Sequence, residues 1–175
     1  RLLGLEGQGW QETKAPFDRL PAKAGGVVRG PVWDLSRNSA GISTRFATDA
    51  RTIQARWTLI SASLAMPHMP ATGVSGLDLY VLAPNGTWRW VANGRPTKQT
   101  NEVQLLSEIP PGRHEFCLYL PLYNGVTKVE IGIPAGAELA REIDRSIAAQ
   151  VVPEQDTESM PDGEVESCPA CGESL

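Results

Sequence analysis

The stretch Met66-Pro67-His68-Met69-Pro70-Ala71-Thr72-Gly73-Val74-Ser75-Gly76-Leu77-Asp78-Leu79-Tyr80 changes character partway along. It opens as a loop. Pro67 and Pro70 fix their own backbone and push the preceding residues towards extended shapes. Gly73 and Gly76 permit turns that other residues resist. From Leu77 the pattern becomes a strand, because Leu77, Leu79 and Val81 alternate with Asp78 and Tyr80. An irregular loop carrying one of only two histidines is thus delivered by a rigid strand, and loops held by scaffolds often carry function.

The same alternation recurs on both sides. Ile53, Ala55, Trp57 and Leu59 share one face of Thr52 to Ile60, with Gln54, Arg56 and Thr58 on the other. Ile42 to Thr48 reads as a strand, and the short apolar run Val32 to Leu35 as another. Pro84-Asn85-Gly86 is a hairpin signal between Leu77–Leu82 and Thr87–Ala92. Strands are also expected over Val103 to Ile109, over Arg113 to Leu120, and from Thr127 to Ile133. Many short alternating strands without a strand–helix–strand rhythm predict an all-β antiparallel sandwich or jelly roll over residues 1–136. Trp10, Phe17 and Leu20 are the expected anchors of the loop-rich N-terminal segment. Leu139, Ile143, Ile147 and Val151 recur at helical spacing, which predicts a helix or linker over 137–152. Residues 153–175 are acidic, polar and interrupted by proline, the composition of a disordered tail.

The chain of 175 residues is 41% hydrophobic, enough for a core, and carries a net charge of −4. No basic footprint points to nucleic acid or an anionic membrane, and no apolar run is long enough to span a bilayer. No signal peptide is visible, and the start at Arg1 suggests a fragment or a processed form, so export stays open. Cys117 lies in a strand pattern and reads as a small buried residue. Cys168 and Cys171 make half of a zinc ribbon. Structural zinc needs four ligands, so two chains sharing one ion is a weak alternative to an incidental thiol pair. No motif calls for a cofactor.

Other residues admit chemical readings. Ser75 sits in Gly73-Val74-Ser75-Gly76-Leu77, close to a nucleophile elbow, but a strand follows it where a helix is needed. A Ser75/His68/Asp78 set can be drawn locally, and a turn residue is the plainer reading of Ser75. Asp78 between two leucines needs a partner, for which Arg56 or Arg89 on a neighbouring strand is the expectation. His114 lies on an apolar face and reads as structural. Trp88 and Trp90, together with Trp33 and Trp57, raise the idea of sugar stacking, against which stands the ordinary role of such residues as core or cross-strand pairs. Tyr123-Asn124-Gly125 could hydrogen-bond a polyol or simply turn the chain.

Gly76-Leu77-Asp78-Leu79-Tyr80 resembles the GxDLY signature of the domain at the N-terminus of bacterial SGNH-type (GDSL-like) esterases. Gly9-Trp10, Arg19-Leu20-Pro21, Val32-Trp33-Asp34-Leu35-Ser36, Ser39-Ala40-Gly41, Trp88-Arg89-Trp90 and Leu118 to Gly125 fit the same family, so the likeness spans roughly Gly9 to Pro134. It implies an accessory β-sandwich in front of a serine ester hydrolase domain, with acyl groups on carbohydrate as the implied substrate. Gly76, Asp78 and Tyr80 are then the structural signature, and His68, Met69, Thr72, Tyr123 and Asn124 the expected contact surface for that domain or its ligand. After about Glu138 the sequence departs from the family pattern: no GDSL-like nucleophile block and no later Asp and His pair follow. The alternative is a free-standing carbohydrate-binding module.

Overall fold

The computed structural model describes residues 3–141. Within them the chain forms α1 (Gly30–Ser36), β1 (Ser43–Thr48), β2 (Ile53–Leu59), α2 (Ala71–Ser75), β3 (Leu77–Leu82), β4 (Trp88–Gly94), β5 (Thr100–Leu106), β6 (His114–Tyr119), β7 (Val126–Gly132) and β8 (Leu139–Ala140). The strands make two antiparallel sheets, ordered β4-β3-β6-β1-β8 and β5-β2-β7. They stack as a β-sandwich of five strands over three. β3 and β4 are joined by the expected hairpin. Gly86 supplies its left-handed residue at φ 79°, and Asn85 Oδ1 accepts from Thr87 N at 3.2 Å and Thr87 Oγ1 at 2.6 Å.

Alternation placed the core correctly. Ile53, Ala55, Trp57 and Leu59 are all buried, facing Phe46, Leu77, Leu79, Phe116 and Leu118 of the larger sheet. Phe46 and Phe116 are register partners on β1 and β6, and their rings stack with centroids 5.5 Å apart. Burying a side chain such as Leu79 or Phe116 contributes roughly 2 to 3 kcal/mol relative to exposure.

Four expectations shift. Val32 to Leu35 is helical, not extended: Pro31 presets the helical backbone in the first turn of α1, and Arg19 Nη2 donates to Leu35 O at 2.6 Å at its end. The strand expected over Val103 to Ile109 begins and ends earlier, at Thr100 and Leu106. Asn101 Oδ1 gathers Thr97 N and Lys98 N ahead of it, and Glu108 at φ 59° breaks the extended run. Leu139, expected to lie on a helix, instead pairs with Thr48 in β8, and the remainder of the helix or linker expected over 137–152 falls outside the described residues, as does the expected 153–175 tail. Trp10 is 50% exposed and anchors little, whereas Phe17 packs on the core. Among the described residues no helix is long and apolar enough to cross a membrane, and no cluster of acidic, histidine and cysteine side chains could hold a metal ion. Cys168 and Cys171 lie outside those residues.

Candidate functional site

The ends of β2 and β6 and the starts of β1, β3, β5 and β7 meet at one end of the sandwich, as their antiparallel registers require. The loops there are stitched together by Asn124. Its Oδ1 accepts from Ser61 N at 3.1 Å, and its Nδ2 donates to Ser61 O at 3.1 Å and to Ser75 Oγ at 3.0 Å. Its carbonyl accepts from Ser39 N. At 3% exposure the side chain is a brace inside the loop cluster, with no face of its own to offer a partner. Trp57, at the centre of the core, donates Nε1–H to Ser75 O at 3.1 Å, and Tyr123 N donates to Val74 O at 3.1 Å. The C-terminal carbonyls of the short helix α2 are therefore capped by the scaffold.

This network also fixes Ser75. The residue is fully buried and its hydroxyl accepts from Asn124, while His68 is exposed. Among the described residues no hydrogen bond joins Ser75, His68 and Asp78, so the local triad does not assemble. Ser75 ends α2 and does not sit on a nucleophile elbow, which removes the attacking geometry such an elbow supplies.

His68 stands at the tip of a tight loop closed by Met66 N to Met69 O at 3.0 Å and Met69 N to Met66 O at 3.2 Å. Met69 is half-buried against Gly73, and Thr72 lies half-buried on α2. Tyr123 is exposed, and so are Leu35 in the last turn of α1 and Ile60 and Leu122 in the neighbouring loops. Sequence reasoning selected Tyr123 but missed the other three. Pro121 ahead of Leu122 was the available signal, since an apolar pair in a bend rarely has a core to enter.

The GxDLY residues divide between the two faces of β3. Leu77 and Leu79 are core. A Cβ at Gly76 would overlap the Thr72 carbonyl, so only glycine lets α2 fold back against the start of β3. Asp78 faces outward, and neither expected arginine meets it. Its Oδ1 accepts from Trp90 Nε1 and Asn93 Nδ2, each at 3.1 Å. Arg56 lies on the smaller sheet, engaged with Glu102. Asn93 reaches Asp78 because the register shifts between Leu79 and Tyr80, a bulge that turns Ala92 inward and Asn93 outward. Tyr80 meets Tyr119 edge to face at 5.6 Å. Beside them a hollow of about 380 Å³ opens, bounded by Trp88, Tyr119, Arg45 and Glu6. Arg45 Nε sits 2.8 Å from Glu6 Oε1, and Arg45 Nη1 lies 3.8 Å from Glu115 Oε1. Burial pushes the Cys117 thiol at the base of this hollow above its ordinary range, and the neighbouring Cys117 charge, with burial, raises Tyr119 in turn. His114 is structural, bonded through Nε2 to Pro110 O at 2.9 Å.

Comparison with known proteins places this geometry. The family model described as the N-terminus of SGNH-hydrolase-type esterases, GxDLY, matches residues 2–139. A crystal structure of a GDSL-like lipase candidate from Bacteroides ovatus ATCC 8483 superposes with a TM-score of 0.75 at 29% identity, covering 80% of this chain and 41% of that one. The salicylyl-acyltransferase SsfX3 from a tetracycline biosynthetic pathway shares the fold, with a TM-score of 0.56 at 19% identity over 81% of this chain and 39% of its own. The chain thus spans well under half the length of either solved structure. No curated protein matches. A sandwich whose signature glycine, aspartate and tyrosine each have a distinct structural task, matched by the family model along nearly all the described residues, belongs to the GxDLY family that forms the N-terminus of SGNH-type esterases.

Proposed function

We propose that this sandwich is an accessory domain that braces the catalytic domain of an SGNH-type ester hydrolase and forms one wall of its cleft. The observation that carries the reading is the loop end of the sandwich. His68 is held out on a closed turn, Leu35 is exposed at the end of α1, and Ile60, Leu122 and Tyr123 are exposed in loops that Asn124, Trp57 and Ser75 hold in place. Apolar side chains displayed on a preorganised frame are what a docking surface needs, because little ordering entropy remains to be lost on contact. His68, Met69, Thr72 and Tyr123 supply the contacts, with Asn124 as the brace behind them. The Bacteroides ovatus structure, of which this chain matches 41%, has ample further length for such a partner. The chemistry of ester cleavage then belongs to the partner, whose serine, histidine base and oxyanion hole act while this surface limits water and substrate access.

The test is hydrolysis of a chromogenic acetate ester by the purified chain, alone and with a separately supplied SGNH catalytic domain. The reading expects no turnover alone, a rise in the activity of the added domain, and loss of that rise in Leu122→Ser/Tyr123→Ala. Turnover by the chain alone that Ser75→Ala abolishes would refute it, as would an added domain indifferent to the chain.

A further inference from the structure

We infer that the outer face of the five-stranded sheet is a binding site for a neutral glycan, with Trp90 as its stacking platform. The registers lay two rows of side chains across this face. Trp90, Tyr80, Cys117 and Arg45 are successive partners on β4, β3, β6 and β1. Next to them run Asn93, Asp78, Tyr119 and Ser43, with Glu6 bridged to Ser43 at the end. Four strands span three inter-strand spacings, about 14 Å, which is longer than one sugar ring.

Three features separate this face from an ordinary solvated sheet. Trp90 is 57% exposed, although an indole is among the most favourable groups to bury. Its edge is also tethered, because Nε1 donates to Asp78 Oδ1, which itself accepts from Asn93. The ring is held open in one orientation, so a ligand stacking on it would lose little side-chain freedom. Finally, the hollow of about 380 Å³ beside it mixes aromatic walls, Trp88, Tyr80 and Tyr119, with the ionic groups of Glu6 and Arg45. Flat apolar faces next to fixed donors and acceptors match the chemistry of a pyranose, which has apolar C–H faces and a rim of hydroxyls.

Charge selects among glycans. Glu6, Asp78 and Glu115 are acidic here, and Arg45 is already shared between Glu6 and Glu115. The face is net negative, so uronate or sulfate groups would be repelled and neutral sugars accepted. The row containing Asp78 and Tyr119 lies nearest the loop end, so a bound chain would run towards the proposed docking surface. Binding itself does not depend on that docking.

The test uses the full 175-residue chain in affinity electrophoresis and calorimetry. The probes are soluble neutral polysaccharides of glucose, xylose and mannose, with polygalacturonate and a sulfated polysaccharide as anionic counterparts. At least one neutral polymer should bind and blue-shift tryptophan fluorescence, and the anionic ones should not. Trp90→Thr, which keeps strand propensity, should weaken binding roughly tenfold or more, and Trp90→Phe should recover part of it. The Leu122→Ser/Tyr123→Ala variant should bind glycan normally, which separates this inference from the docking one. Absence of neutral binding across the panel, binding of anionic polymers alone, or a Trp90→Thr affinity within twofold of the parent would each overturn the assignment.

Discussion

Asn124→Ala tests whether the loop end is held by its side-chain network or merely by the strands beneath it. The substitution removes three hydrogen bonds, two to Ser61 and one to Ser75 Oγ. Ser61 is exposed, so its backbone groups can turn to water, and those two bonds contribute about 0.5 kcal/mol each. Ser75 is fully buried, and leaving its hydroxyl without Asn124 costs about 1 to 2 kcal/mol. The expected loss is therefore about 2 to 3 kcal/mol. For a domain of this size, roughly 3 to 4 °C of melting temperature accompanies each kcal/mol, so the midpoint should fall by about 6 to 12 °C. Urea unfolding followed by circular dichroism gives the free energy directly. In a double-mutant cycle, Ser75→Ala should be milder, and the two changes should couple by about 1 kcal/mol. Asn124→Asp adds a signature that packing loss cannot imitate. Burial beside the Ser61 carbonyl would raise the new carboxyl above its unfolded value, so its defect should be small at low pH and grow as pH rises past about 4. A loss below 0.5 kcal/mol for Asn124→Ala, or no coupling to Ser75, would refute the idea that Asn124 holds these loops.

Other outcomes follow from single contacts. Gly76→Ala should destabilise by about 2 kcal/mol, since its Cβ would overlap the Thr72 carbonyl and force α2 away from β3; an unchanged denaturation midpoint would show that the helix gives way freely. Cys117 and Tyr119 both hold their protons more tightly when folded than an exposed group does. The unfolded chain therefore binds fewer protons at alkaline pH, and stability should fall as pH rises above the ordinary thiol range. Cys117→Ala should flatten part of that fall, as read from midpoints between pH 8 and 10. The Arg56 pairing with Glu102 and Glu130 is solvent-exposed, so Arg56→Ala should change thermal stability little and the difference should vanish in high salt; a large salt-insensitive loss would count against that assignment.

What was legible in the sequence was what depends on side-chain period. Ile53 to Leu59 and Leu77 to Leu79 were assigned to the core because alternation on a strand fixes which residues face inward, whatever the strand pairs with. The hairpin at Asn85-Gly86 was equally local. Period fails where a short apolar run allows two readings. Val32 to Leu35 alternates no better as a strand than as a helix, and Pro31 decided it. Partners across the fold were out of reach for a different reason. Arg56 and Arg89 were sensible counterions for Asp78 on charge alone, but strand order puts Arg56 on the other sheet, and a bulge brings Asn93 into place. A one-residue register shift leaves no trace in composition. Asn124 shows the same limit: its type suggested surface hydrogen bonding, while its burial depends on three loops converging from distant parts of the chain.

The GxDLY signature can be read as two separate constraints on one strand. Gly76 lets the capped helix α2 close onto β3, which sets the loop end where His68 and Tyr123 are displayed. Asp78 and Tyr80 act on the opposite face, the first holding Trp90 and Asn93, the second meeting Tyr119. If the signature served folding alone, replacing Asp78 by Asn would be nearly neutral, because an amide oxygen can still accept from both donors. If it also serves a ligand, Asp78→Asn should keep the melting temperature and weaken glycan binding, since one charged acceptor at the platform edge is lost. Measuring both quantities on that single variant divides the two constraints. An affinity unchanged at unchanged stability would leave Asp78 as scaffold and place any sugar recognition on the aromatic rings alone.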